Sequence, residues 1–157
     1  MTLTGSVSAV ANENTFKLAI IKDYLGSREI VNGNFTKSIA YLTRKNADNS
    51  SFELNMGLCT SYIKTHNINH SESACTAAIT DLQSITADNK QVTYLKSVSY
   101  SNRGVARYLK DDFTGAIEDL ITAISIDSNS ITEHNLLLVK HQSNQSNQDN
   151  SDKIAGF

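Results

Sequence analysis

Residues 100–130, YSNRGVARYLKDDFTGAIEDLITAISIDSNS from Tyr100 to Ser130, decide how the rest of the chain is read. Apolar positions recur at helical spacing on both sides of Lys110-Asp111-Asp112, which gives two amphipathic helices joined by a short polar turn. Gly104, Ala116 and Ala123 put small side chains where two antiparallel helices must touch. Such a hairpin builds a surface for binding and supplies no catalytic group, so a binding module is expected here rather than an enzyme.

Working outward, the same grammar recurs. From Thr15 to Val31 apolar residues fall at helical spacing (Phe16, Ala19, Ile20, Tyr24, Ile30, Val31), with Asn14 or Thr15 able to cap the start. Asn32-Gly33-Asn34 is a turn, and Phe35 to Arg44 resumes the helix through Ile39 and Leu42. Residues 46–50 break it. A second hairpin runs from Phe52 through Leu54, Leu58, Tyr62 and Ile63. It turns over Thr65 to His70 and returns through Ala74, Cys75, Ala78, Ile79 and Leu82. Thr80 to Lys90 is longer than a plain connector. Val92 to Leu109 and Phe113 to Ile126 form the third hairpin, and Ser130 or Thr132 caps a last helix carrying Leu136 to Val139. From Gln142 the chain is too polar to bury anything, and residues 142–157 are expected to be a disordered tail.

Superposing Gly104 on Cys59 and on Gly26 exposes an internal repeat. Offsets 0, 12, 16, 19 and 20 give Gly104, Ala116, Leu120, Ala123 and Ile124 in the third copy, and Cys59, Ser71, Cys75, Ala78 and Ile79 in the second. In the first they give Gly26, Ser38, Leu42, Lys45 and Asn46, so that copy decays at its end; offset 9 is Phe35, Ile68 and Phe113. Small residues at offsets 0 and 12 allow close approach, and bulky ones at 9 and 16 seal the contact.

With these residues the chain resembles the tetratricopeptide repeat (TPR) proteins. Gly104, Ala116 and Ala123 match the family's small-residue pattern, and Tyr100 stands at its first aromatic position. Ser128 replaces the usual Pro, and Arg107 stands where Tyr is common. Copy two follows copy one by 33 residues, and copy three follows copy two by 45, an insertion around Thr80 to Lys90. The resemblance spans Lys17 to Asn129. It implies an all-α fold: a right-handed superhelical stack of about three antiparallel helix hairpins over residues 14–141, closed by a C-terminal capping helix.

The chain of 157 residues is long enough for one domain with a hydrophobic core. Its formal net charge of −2 gives no reason to expect nucleic acid or an anionic membrane as partner. No apolar run approaches the roughly 20 residues of a membrane span. Residues 1–13 read as a flexible segment, and MTLTGSVSAVA ends like the cleavage region of a signal peptide. This favours an exported protein, periplasmic or secreted and of bacterial type, over a cytoplasmic one.

Cys59 and Cys75 occupy facing packing positions on the two helices of the second hairpin. In an oxidising compartment they are expected to form a disulfide. In a reducing one they fill space as buried thiols, and a redox switch that loosens this hairpin is a further alternative. His66 and His70 share metal-ligand spacing but lie in the turn, where solvated side chains are the simpler reading, and His134 and His141 add no motif. Asp111, Asp112, Glu118 and Asp119 read as turn, cap and solvent-face residues. No phosphate loop, nucleophile elbow or zinc-helix motif is present, so no catalytic residue, metal or cofactor is expected.

In TPR proteins the first helix of each hairpin lines a concave groove. The repeat alignment carries those positions onto Asp23, Ser27 and Ile30, onto Met56, Thr60 and Ile63, and onto Ser101, Val105 and Tyr108. The Lys and Asn residues with which chaperone-binding TPRs clamp two carboxylates are missing. The apolar lining suits a peptide or an amphipathic partner helix. Three alternatives stand beside it: the lining simply packs between helices, the chain's own N-terminal segment covers it, or short stacks pair through their exposed ends as a homodimer. The partner is therefore expected to be a protein or peptide, bound by a monomer or a homodimer.

Overall fold

The computed structural model describes residues 7–10, 15–48, 50–86 and 89–154, with side chains described over 15–45, 50–86 and 89–143. Two strands, β1 (Val7–Val10) and β2 (Leu18–Ile21), are followed by α1 (Ser27–Val31), α2 (Phe35–Asp48) and α3 (Phe52–Lys64). Then come α4 (Ile68–Gln83), α5 (Lys90–Tyr108), α6 (Phe113–Ile126) and α7 (Ser130–Ile154). The chain is mostly helical. Each long helix packs on the next in sequence, and α5 also touches both α3 and α7.

Three turns set this arrangement, and they are the same turn. Gly33, His66 and Asp111 all lie in the left-handed region, with φ of 75°, 53° and 64°. Each stands at offset 7 from Gly26, Cys59 or Gly104. The following residue donates its backbone N–H five residues back in every case: Asn34 to Glu29, Asn67 to Tyr62 and Asp112 to Arg107, at 2.8, 2.9 and 3.0 Å. This pattern satisfies the last carbonyls of one helix and aims the chain into the next. Offset 9 is then the first residue of α2, α4 and α6 alike.

Offsets 0 and 16 meet in all three copies. Cys59 and Cys75 are joined by a disulfide across a Cα–Cα distance of 4.7 Å. A Cβ added to Gly104 would lie 2.9 Å from Leu120 Cγ, and one added to Gly26 would lie 2.8 Å from Leu42 Cδ2. The helix starts are satisfied by side chains: Ser51 accepts from Leu54 N–H, Asn89 from Val92 N–H and Asp112 from Gly115 N–H. For α7 the cap is Asn129, whose Oδ1 accepts from Ile131 and Thr132, rather than Ser130 or Thr132.

The chain departs from the sequence reading at both ends. No helix spans Thr15 to Val31. Leu18–Ile21 is a strand buried on every residue, and the helix is confined to Ser27–Val31. Gly26 at φ 83° precedes that helix in a left-handed conformation, which stops it from extending backward. Val7–Val10, placed in the flexible N-terminal segment, pairs antiparallel with β2 in the register Val7 to Ile21 and Val10 to Leu18. The rest of the cleavage-site reading falls on residues 1–6 and 11–14, outside the described residues. At the other end, the polar stretch read as disordered continues α7 to Ile154. The insertion at Thr80 to Lys90 goes largely into helix, since α5 begins about two turns earlier relative to Gly104 than α3 does relative to Cys59.

Candidate binding groove

The seven groove residues drawn from the repeat alignment do come together, but beneath the chain's own strand. Ile30, Met56, Thr60, Ile63, Ser101 and Val105 are buried, and Tyr108 is partly buried. Above them the extended segment from Lys17 through β2 meets α7 at Lys17 and then α5 and α3 at Ala19. Asp23, aligned with them, sits instead in the loop after β2 at φ 60°.

The strand is held by its backbone. Asn135 of α7 accepts from Lys17 N–H at 2.9 Å and donates through Nδ2 to Lys17 C=O at 2.8 Å. Two residues on, Asn102 of α5 repeats the arrangement with Ala19, accepting at 3.0 Å and donating at 2.9 Å. Thr60 Oγ1 of α3 adds a second donor to Ala19 C=O at 3.0 Å. His134 Nε2 lies 3.0 Å from Thr15 C=O, which fixes its proton on that nitrogen. Along a strand, the N–H and C=O of alternate residues point to opposite edges. Lys17 and Ala19 therefore turn to the asparagines, while Leu18 and Ile20 turn to β1. Two side-chain amides stand in for a third strand.

The amides themselves are fixed. Asn135 Nδ2 also reaches Ser101 Oγ at 2.9 Å. Asn102 Nδ2 also lies 3.3 Å from Thr60 Oγ1 and 3.7 Å from Met56 Sδ. Both asparagines are fully buried, so each amide must find partners, and an extended backbone supplies them. Side chains of β2 divide by the strand's period of two. Leu18 and Ile20 join the cluster of Ile30, Leu42, Leu58 and Val105; Ala19 and Ile21 join that of Phe52, Met56, Leu82 and Val98. Phe16 packs edge-on against Tyr108 at 5.1 Å between ring centroids, and Tyr108 in turn against Phe113 at 5.4 Å. Burial raises the Tyr108 hydroxyl pKa, with Asp111 adding to it.

Sequence reasoning missed Asn102 and Asn135. A signal for them was present. Asn is a poor helix-interior residue, and these two are 33 residues apart, one repeat period, on helices that line the groove.

The remaining candidates lie elsewhere. His66 is exposed at the turn. His70 is also exposed, with Nδ1 2.8 Å from Asn67 Oδ1 and its ring 5.3 Å from that of Tyr62. Among the described residues no three His, Cys, Asp or Glu side chains gather as a metal site. Asp111 and Asp112 serve the turn and the cap. Asp119 is not on the solvent face: it is 3% exposed and takes a two-point contact from Arg103 at 2.7 and 2.8 Å. Arg107 Nη1 lies 3.1 Å from the same carboxylate, while its Nε reaches Glu72, which Lys110 also contacts at 2.7 Å. These groups tie α4, α5 and α6 together away from the strand.

No helix among the described residues is long and apolar enough to cross a membrane. No family model matches the chain, no curated protein matches it, and no solved structure does.

Proposed function

We propose that this chain is a non-catalytic interaction module of TPR-like design that holds an extended polypeptide in the groove between α3, α5 and α7, with its own β2 as resident occupant. The observation that carries this reading is the pair of buried asparagines, each gripping the N–H and C=O of one residue, at positions two apart on the strand. Such a device reads backbone, so it accepts any strand whose side chains fit. The shared turn at offset 7 and the shared contact between offsets 0 and 16 support the repeat reading and a right-handed superhelical stack. The Cys59–Cys75 disulfide supports residence in an oxidising compartment, periplasmic or extracellular, where envelope assembly or secretion would supply extended client chains.

The test uses the full chain with Ala19→Asp, which places a charge in a fully buried position and expels the resident strand. A fluorescent peptide of residues 15–22 should then bind saturably by anisotropy, with Kd of roughly micromolar order. Adding Asn102→Ala should weaken that binding about tenfold or more, because it leaves the buried Ala19 N–H unpaired at about 1–3 kcal/mol, while Thr60 still donates to the C=O. Absence of peptide binding in the folded Ala19→Asp protein would sink the proposal.

A homodimer is the second reading, favoured by the occupant being the chain's own β2 on a short linker before α1. Exchanging strands between two copies keeps every contact described above. Light scattering showing a dimer that dissociates under Ala19→Asp would establish it.

A further inference from the structure

The resident strand leaves space on its Leu18 and Ile20 face, toward α1, α2 and α3. A cavity of about 200 Å³ lies beside it, bounded by Leu18 and Ile20 of β2 and by Ile30, Val31, Phe35 and Lys64. Its walls are mostly apolar, and an engineered apolar cavity of about 150 Å³ already admits a benzene ring. On the other face of the strand the situation is reversed. Ala19 is fully buried among Met56, Leu82, Leu95 and Val98, and its N–H and C=O are pinned by Asn102 and Thr60. The groove is therefore loose at two alternate positions and tight at the one between them.

We infer that the groove's preferred ligand is an extended segment with an aromatic side chain at the place of Leu18 or Ile20, and a residue no larger than Ala at the place of Ala19. This rests on the proposed binding of a strand in trans. It also says how a partner displaces β2, since the partner fills space that the resident leaves empty. An aromatic ring suits the cavity better than a longer aliphatic chain. Phe35 offers an edge or face to pair with, and Lys64, whose side chain forms part of the wall, carries a cation of the kind attracted to the face of a ring. At Ala19, by contrast, a larger side chain has to push apart a closed cluster while the backbone on either side of it stays fixed by the amides.

The experiment loosens only the resident strand. Lys17→Pro in the full chain removes the N–H that Asn135 accepts and leaves every groove side chain intact. Four labelled peptides of residues 15–22 are titrated into it: the natural sequence, Leu18→Phe, Ile20→Phe and Ala19→Leu. At least one aromatic peptide should bind about tenfold tighter than the natural one, and the Ala19→Leu peptide about tenfold weaker or worse. If no peptide binds, the groove reading falls and this inference with it. If the natural peptide binds and neither aromatic peptide is tighter, or Ala19→Leu is tolerated, this inference alone falls. The same substitutions in the otherwise natural full chain give a check that does not depend on Lys17→Pro folding. Leu18→Phe or Ile20→Phe should raise the melting temperature and Ala19→Leu should lower it. A fall with both aromatic variants overturns the inference.

Discussion

His66 and Asp111 hold left-handed backbone, at φ 53° and 64°, where the first copy of the turn uses Gly33 at 75°. A side chain in that conformation costs roughly 1–2 kcal/mol that glycine avoids, offset by glycine's greater freedom when unfolded. Both positions are exposed, so little packing is lost. His66→Gly and Asp111→Gly are each expected to raise stability by about 0.5–1 kcal/mol, read from denaturant midpoints at unchanged slope. A lower midpoint would mean that the side chain, not the backbone, matters there. Glycine in the reverse direction discriminates further. Gly33→Ala meets nothing within 4 Å and should lose only the backbone preference. Gly26→Ala at φ 83° also sets its Cβ 2.8 Å from Leu42 and should cost clearly more. Between these positions and the buried amides lies a division of labour. The turn residues specify where helices reverse, and Asn102 and Asn135 specify what lies across them.

Among the helices, α4, α5 and α6 are tied by charge as well as by packing. The Glu72 carboxyl is held below the ordinary carboxylate range, first by the hydrogen bond from Lys110 and then by that from Arg107, against the opposing effect of its partial burial. A group with a lowered folded pKa contributes stability that is present above its unfolded value of about 4.3 and is lost as pH falls through the folded one. Thermal unfolding followed from pH 7 to pH 3 should therefore decline at the acid end, and Glu72→Gln should flatten part of that decline while lowering stability at neutral pH. An unchanged acid limb would show that the contact contributes nothing, as many exposed pairs do. The helices themselves were largely legible, because their stripes have a period near 3.6 and their turns carry Gly, Asn and Asp. β2 was not. Phe16, Ala19, Ile20 and Tyr24 mimic helical spacing, yet Leu18–Ile21 is an unbroken apolar run of four, which is how a strand buried on both faces reads. Only the helices below it, whose contacting residues lie 41 to 118 positions later, decide between the two. The same distance hid the asparagine clamp: no local pattern announces that two helix-interior amides face one strand.

At the scale of the whole molecule, the Cys59–Cys75 bridge joins the two helices of the central hairpin, with the other hairpins packed on either side of it. Closing a loop of this length contributes about 3 kcal/mol in the chain-entropy account, a large share of the roughly 5–15 kcal/mol that holds a domain folded. Both sulfurs are fully buried, so a reductant reaches them only when the hairpin opens, and reduction should accelerate with sub-denaturing urea. Complete reduction is expected to lower the melting temperature by roughly 6–12 °C for a chain of this size. Helical circular dichroism at room temperature should persist, since α3 and α4 retain Ile63, Ala74, Ala78 and Leu82 in the core. The double variant Cys59→Ala/Cys75→Ala should show the lower melting temperature and no response to reductant. A melting temperature equal in both redox states would exclude the bridge as a staple. Cys59 also adjoins Thr60, which donates to Ala19 C=O, so the same samples separate a staple from a switch. If reduction only removes a cross-link, exchange of the Ala19 amide hydrogen should quicken in proportion to the global loss of stability. If the bridge governs the groove, that amide should exchange ahead of the helix interiors, and peptide binding by the Ala19→Asp chain should change on reduction at temperatures where the helices remain intact.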